Sequence, residues 1–435
     1  MGESDRLLPI DAVRGIVMFF VGVSHISFYL INDSGILATH ARAIGYAATP
    51  NFLLVSGMAC GYQLAYAPTT TTVMRIVDRG LFAFLVGHLL VTASIVYVVP
   101  PGTAFEHVVI TDSIGVLLCL APLLKHASGE PLLWLGGAVF LLASTLALMW
   151  HPRTPAEIVC GALLLSINDG DMPDIGWTTP TLAYLGIFLL GVGLGKLICR
   201  WRRVGQAQVL SRRLAVAGSI AMALALALNI GRHFLKPWLS GQVESKNWAD
   251  VILTTLNIRH DSPPTLGYGL FYGGMGVALV GLLGLLPRRT PEIVWVRIAG
   301  IAAVIGQASF VSYVAQQWLI DFIPIWVGFD SWLTPATCPI YLALTTALMY
   351  WLAAVWGGRK GNRYLTLGLR PAPQWSDSRV GLFAAAVLVV VFLNFLAVTH
   401  AASLTPGKLA LVPPNPYPWA PTKLARPPQD LFHSI

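Results

Sequence analysis

RLLPIDAVRGIVMFFVGVSHISFYL, residues 6–30, is apolar over nearly its whole length yet contains Asp11, Arg14 and His25. It has the roughly 20 residues that a helix needs to cross a bilayer. Charged or titratable groups at bilayer depth cost roughly 2.5–3.5 kcal/mol each on insertion scales, so they are seldom there without a partner or a task. Asp11 and Arg14 stand at i and i+3 on one helical face and can partly neutralise each other. His25 follows Arg14 with ten residues between them, which at ~1.5 Å per residue is some 16 Å along the same helix. A basic group near one membrane face and an imidazole well inside suit chemistry carried out within the membrane.

Composition extends this reading to the whole chain. Its 435 residues are 55% hydrophobic and 11% charged, with a mean hydropathy of +0.68. Soluble domains carry about 25% charged residues, so the expected class is an all-α, polytopic integral membrane bundle. The start, MGESDRLLPID, has no basic n-region, and no A-x-A-like site follows the apolar stretch. The first stretch is therefore read as a retained helix and not a cleaved signal peptide. Cys60, Cys119, Cys160, Cys199 and Cys338 are scattered without any CxxC spacing, which predicts neither a disulfide framework nor a metal site. The basic pI near 9.3 is a topology signal and not a nucleic-acid signal.

About eleven spans are expected, over 9–31, 45–66, 80–99, 108–125, 131–150, 181–199, 214–235, 266–286, 298–320, 335–356 and 379–399. The apolar piece at 156–167 is too short to cross and reads as re-entrant or interfacial. With a cytoplasmic N-terminus, about eighteen of the 28 basic residues fall on the inner side, as the positive-inside rule requires. They include Arg75, Arg79, Lys125 and the run from Lys196 through Arg213. The chain divides into a membrane domain, 1–399, and a proline-rich extracytoplasmic tail, 400–435.

Several polar residues interrupt the spans. After His25 come His40 and Arg42 in the first outer loop, Asn51 at the head of the second span, His88 in the third and Asp112 at the outer end of the fourth. NIRHDSPPTLGYGLFYGG carries Arg259, His260 and Asp261, and GQASFVSYVAQQWLID carries Gln307, Ser309, Ser312, Tyr313, Gln316 and Gln317. Singly, each has a structural reading. Membrane histidines more often pack helices than catalyse, Ser and Gln bond helices together, and Asp112 can cap its helix. GVGLGK at 191–196 follows no strand and reads as close helix packing, not a phosphate loop. No internal repeat is visible, which weakens a transporter reading.

Taken in order, these segments resemble the transmembrane acyltransferases related to heparan-α-glucosaminide N-acetyltransferase. RLLPIDAVRGIVMFFVGVSHISFYL is similar to the family's opening helix, with a basic residue and then a histidine after ten residues. GYAATPNFLLVSGMACGY, RIVDRGLFAFLVGHLLV, TPTLAYLGIFLLGVGLGK, DSPPTLGYGLFYGGMG and GQASFVSYVAQQ resemble five further family segments, over roughly 6–355. The chain departs from the pattern at Ser24, where relatives carry an acid before the histidine. It departs also at Gly87, where an acid is common, and at Gln316, where a histidine often follows the tyrosine.

The resemblance implies transfer of an acetyl or other acyl group from cytoplasmic acyl-CoA to a glycan or other hydroxyl or amine acceptor across the membrane. It implies acetyl-CoA as donor substrate and no permanently bound cofactor. His25 is then the expected general base, with His40 the second candidate and Asp112 an orienting carboxylate. Arg14, Arg75 and Arg79 are the expected partners of the CoA phosphates, and Asn51, His260 and Asp261 the acceptor-binding set. Direct transfer and an acyl-histidine intermediate both stay open. The expected location is multi-pass in the inner or plasma membrane, with lipid as the surround, no nucleic-acid partner, and a homodimer compatible with the reading. Two other classes remain: a transporter or flippase, and a non-catalytic membrane subunit that keeps the fold.

Overall fold

A computed structural model of the chain describes residues 7–27, 35–94, 109–150, 161–165, 180–242, 246–258, 264–286, 293–328, 333–359, 361–369 and 376–386, with isolated positions besides. Among the described residues the regular structure is helical. Eight helices among these residues are long and apolar enough to cross a membrane, or nine if one bent pair is a single span. The protein is thus a polytopic helical membrane bundle.

Its first elements are α1 (Leu8–Ser27), the short α2 (Ile36–Gly45), α3 (Ala48–Tyr66) and α4 (Thr70–Ser94). Next come α5 (Ile110–Cys119), α6 (Gly129–Met149), α7 (Thr181–Arg203) and α8 (Ala207–Gln242). The last are α9 (Leu266–Leu285), α10 (Val294–Gln307), α11 (Ser309–Phe322) and α12 (Cys338–Gly358). Most agree with the expected spans to within a few residues. The piece at 156–167 is described mainly by a single π-helical turn at Gly161–Leu165. Most of the expected last span lies outside the described residues, as does the tail.

Four spans differ from expectation. The fourth, expected over 108–125, holds only the ten-residue α5, too short to cross, and the seventh, expected over 214–235, runs from Ala207 to Gln242. The third begins ten residues early, at Thr70, where Thr69 accepts a hydrogen bond from Thr72 N at 3.2 Å and caps the helix. Arg75, Asp78 and Arg79 therefore lie on α4 and not in a loop. Asp78 is tolerated there because Thr366 Oγ1, Leu367 N (3.0 Å) and Leu369 N (3.3 Å) donate to its carboxylate. Hydropathy alone sees the charge and not these donors. The ninth span is not one helix: α10 and α11 meet at 80°. The break follows Gly306, where a Cβ would lie 1.8 Å from Asp11 O, so α1 and α10 cross with their backbones in contact. The Gln307 carbonyl beside the break accepts from Asn362 Nδ2 at 2.8 Å, as a broken membrane helix requires.

Glycines set the other close crossings. Cβ atoms at Gly191 and Gly195 of α7 would sit 2.2 and 2.0 Å from the carbonyl oxygens of Leu54 and Met58 on α3. The GVGLGK run is therefore the small-residue face through which α7 meets α3. Lys196 completes that region. Its ammonium donates to Leu124 O (2.7 Å), Lys125 O (3.0 Å) and Ala127 O (2.6 Å), three carbonyls at the end of the turn that follows α5. Lys196, expected from sequence only as a topology signal, is therefore a structural clasp.

Two predictions follow from these clasps. Lys196→Met removes three charge-assisted hydrogen bonds and leaves three carbonyls unsatisfied. It should lower stability by about 3 kcal/mol, read as a depressed melting midpoint in detergent; an unchanged midpoint would contradict the role. Near the C-terminus, Lys125 and His126 (3.6 Å) pair with Asp377. Burial works against the Asp377 charge. Hydrogen bonds from Lys125 and Thr70 outweigh it, with the charges of Lys125 and His126, and hold the carboxyl below its ordinary value. A depressed carboxyl contributes its stability above the unfolded value of about 3.9 and loses it as pH falls through the lower folded value. Protease protection of segment 376–386 should therefore persist down to about pH 4 and vanish below it. In Asp377→Asn the protection should already be weak at neutral pH.

Candidate active site

α1 runs unbroken from Leu8 to Ser27, so Arg14 and His25 stand on one rod with roughly 16 Å of axial rise between them. The carboxylate that meets the histidine comes from the other end of the chain. His25 Nδ1 lies 2.9 Å from Asp321 Oδ2 on α11, and His25 Nε2 lies 2.8 Å from Gln317 Nε2. An amide nitrogen can only donate, so this network assigns the neutral tautomer in which Nδ1–H donates to Asp321 and Nε2 accepts. The pair is enclosed, with side chains 20% and 11% exposed.

Local sequence explains how Asp321 is aimed. Pro324 has no amide hydrogen to give to the Ile320 carbonyl, and the turn Trp318–Phe322 is widened to π geometry. Such widened turns recur at functional sites because they re-aim side chains. The turn is held from outside: Trp318 Nε1 donates to Leu90 O at 3.0 Å, and the Tyr341 hydroxyl donates to Leu319 O. Gln316, fully buried, donates to Met18 O at 3.1 Å. It reaches α1 over Gly22, where a Cβ would lie 2.1 Å from the Gln316 amide nitrogen.

A second histidine–carboxylate pair joins α4 to α5. His88 Nδ1 is 2.9 Å from Asp112 Oδ2, and the same oxygen accepts from Val109 N at 2.8 Å. Asp112 thus both caps α5 and holds an imidazole. Tyr313 links the two regions: it shares a hydrogen bond with Gln317 and is within electrostatic range of both Asp321 and Asp112.

Toward the other end of α1, Arg14 is 3.9 Å from Asp11. Arg79 lies within electrostatic range of both Arg75 and Arg14. The three arginines singled out for the CoA phosphates therefore do gather in space. Other expected residues fall elsewhere. His40 is exposed on α2, with Nδ1 donating to Ile36 O at 2.7 Å, and no contact shown brings it to His25. Asn51 is fully buried where α3 meets α9, its Nδ2 donating to Ala47 O at 2.7 Å and its Oδ1 against Gly276. His260 and Asp261 lie outside the described residues.

Sequence reading missed Asp321 and named Gln317 and His88 without a role. Ser24 leaves no acid next to the histidine on α1; Asp321 supplies one from a helix 296 residues away in sequence. The available signal was cost: WLIDFIPIWV places one carboxylate in an apolar run, which at bilayer depth demands a partner. No group of three or more His, Cys, Asp or Glu side chains suited to a metal ion occurs among the described residues.

No curated protein sequence and no solved structure matches the chain. Residues 6–243, more than half of the 435, match the family described as heparan-alpha-glucosaminide N-acetyltransferase, catalytic. That match takes in the first histidine, the three arginines and the His88–Asp112 pair, and on it the chain belongs to this family of membrane acetyltransferases.

Proposed function

We propose that the protein transfers an acetyl or related acyl group from cytoplasmic acyl-CoA to a hydroxyl or amine acceptor, with His25 as the general base. The observation that carries this reading is the His25–Asp321 contact of 2.9 Å. A carboxylate on Nδ1 fixes the tautomer, leaves the Nε2 lone pair for the acceptor proton and stabilises the imidazolium that forms. Gln317 occupies the position in which an acceptor O–H or N–H would bond to Nε2, so an incoming acceptor displaces this amide.

Donor binding is assigned to the opposite end of α1. A CoA moiety is polyanionic, and Arg14, Arg75 and Arg79 supply clustered positive charge suited to phosphate groups. With the N-terminus in the cytoplasm, the donor enters on the arginine side and the acceptor meets His25 in the outer half of the bundle. The bent α10–α11 pair is the one feature that favours a transporter instead, since broken helices often line solute sites. Solute movement with no acyl-CoA requirement would speak for that alternative.

Purified protein should be stabilised against heat by acetyl-CoA or a longer acyl-CoA and should acylate sugars or amines. In His25→Ala, kcat should fall about 10²–10⁴-fold while acyl-CoA still stabilises the protein. In Arg79→Ala, donor affinity should weaken with kcat at saturation largely kept. Absence of acyl-CoA binding at millimolar concentration would sink the enzyme reading.

A further inference from the structure

We propose that His88 with Asp112 is a second acid–base pair of the same site, the group that protonates the departing thiolate. This rests on the acyl-transfer reading above and assigns His88 a chemical role. The pair is well built for a charged imidazole. His88 and Asp112 are 7% and 4% exposed, their contact is 2.9 Å, and the Val109 amide holds the Asp112 oxygen in place. His88 directly follows a second π-helical turn, Ala83–Gly87, so each pair has a member at a widened turn, Asp321 within one and His88 after one. An imidazolium against a fixed, buried carboxylate can hold a proton until a leaving group takes it.

Packing brings the two pairs together. Val21, Val91 and Tyr313 belong to one cluster, with Ile110 against it. Val21 is one turn before His25, Val91 one turn after His88, and Ile110 two residues before Asp112. Tyr313 bonds to Gln317, which itself touches His25. Asp112 on α5 faces His88; Tyr313 on α11 lies within electrostatic range of both Asp112 and Asp321, and Asp321 pairs with His25 on α1. Trp318 adds only an indole N–H, given to Leu90 O.

The step balances. His25 Nε2 takes the acceptor proton as the acceptor oxygen or nitrogen bonds to the thioester carbon. The C–S bond breaks, its electron pair leaves on sulfur, and His88 gives that sulfur a proton. After the products leave, His25 gives its proton to water and His88 takes one from water, which restores both groups. Neutral His25 and protonated His88 are required together, so kcat should show a bell-shaped dependence on pH.

The test compares wild type, His88→Gln and His25→Ala across pH, with acetyl-CoA and with the acetyl thioester of nitrothiophenol, whose acidic thiol leaves without a proton. In His88→Gln, kcat with acetyl-CoA should fall about 100-fold, with KM unchanged and the alkaline limb gone. The aromatic thioester should restore His88→Gln to within a few fold of wild type and should not restore His25→Ala. Asp112→Asn, which keeps the imidazole, should shift the alkaline limb and serves if His88→Gln does not fold. An alkaline limb unchanged in both variants, or no recovery with the aromatic donor in a folded His88→Gln, would overturn the proposal. If His25→Ala abolishes transfer and His88→Gln behaves as wild type, the second pair alone falls. If wild type transfers from neither donor, the acyl-transfer reading falls and this falls with it.

Discussion

A carboxylate at bilayer depth finds no solvent to share its charge, and in this protein Asp321 finds the Nδ1–H of His25. That single contact ties the end of α11 to the C-terminal half of α1, and much of the architecture serves to make it. α11 can run alongside α1 because α10 turns away from it by 80°. The turn in turn depends on Gly306 lying against the α1 backbone and on Asn362 covering the exposed Gln307 carbonyl. Gln316, seated over Gly22, and Gln317, at the imidazole, fix the register between the two helices.

The same rule governs the other polar groups within the bundle. Asp78 takes its donors from the segment at 366–369, Lys196 takes three carbonyls beyond α5, and Asp112 takes a backbone amide and an imidazole. Each such group joins elements far apart in sequence. In hydrocarbon the apolar effect between helices is weak, so glycine-lined crossings and satisfied polar groups carry the specificity of assembly. The catalytic arrangement proposed for His25 is then a use of groups that the fold had to pair in any case.

How much of this was legible in the sequence follows from the range of each interaction. Composition and span length depend on local residues, so the helical membrane class and most span limits could be read directly. GVGLGK could be read as packing because small residues four apart have a local meaning. His25 and Arg14 stood out because their cost is local too. The early start of α4 was hidden, since Asp78 looks like a loop residue until its donors near 367 are known. The break at Ala308 was hidden because it depends on Asn362 and on a contact with Asp11. Asp321 was visible as an expensive residue, but its partner is 296 positions away, and no periodicity spans that interval. Ser24, which seemed to leave the histidine unsupported, marks only that the supporting acid comes from another helix.

The central claim is that His25 and Asp321 act as one unit on the transferred proton. The direct measurement is a double-mutant cycle on the acyl-transfer rate with His25→Ala, Asp321→Asn and the two combined, each checked for retained fold. Groups that act as a unit are strongly non-additive, so the double variant should be no slower than His25→Ala alone. A double variant slower by the product of the two single losses would show independent roles and contradict the account.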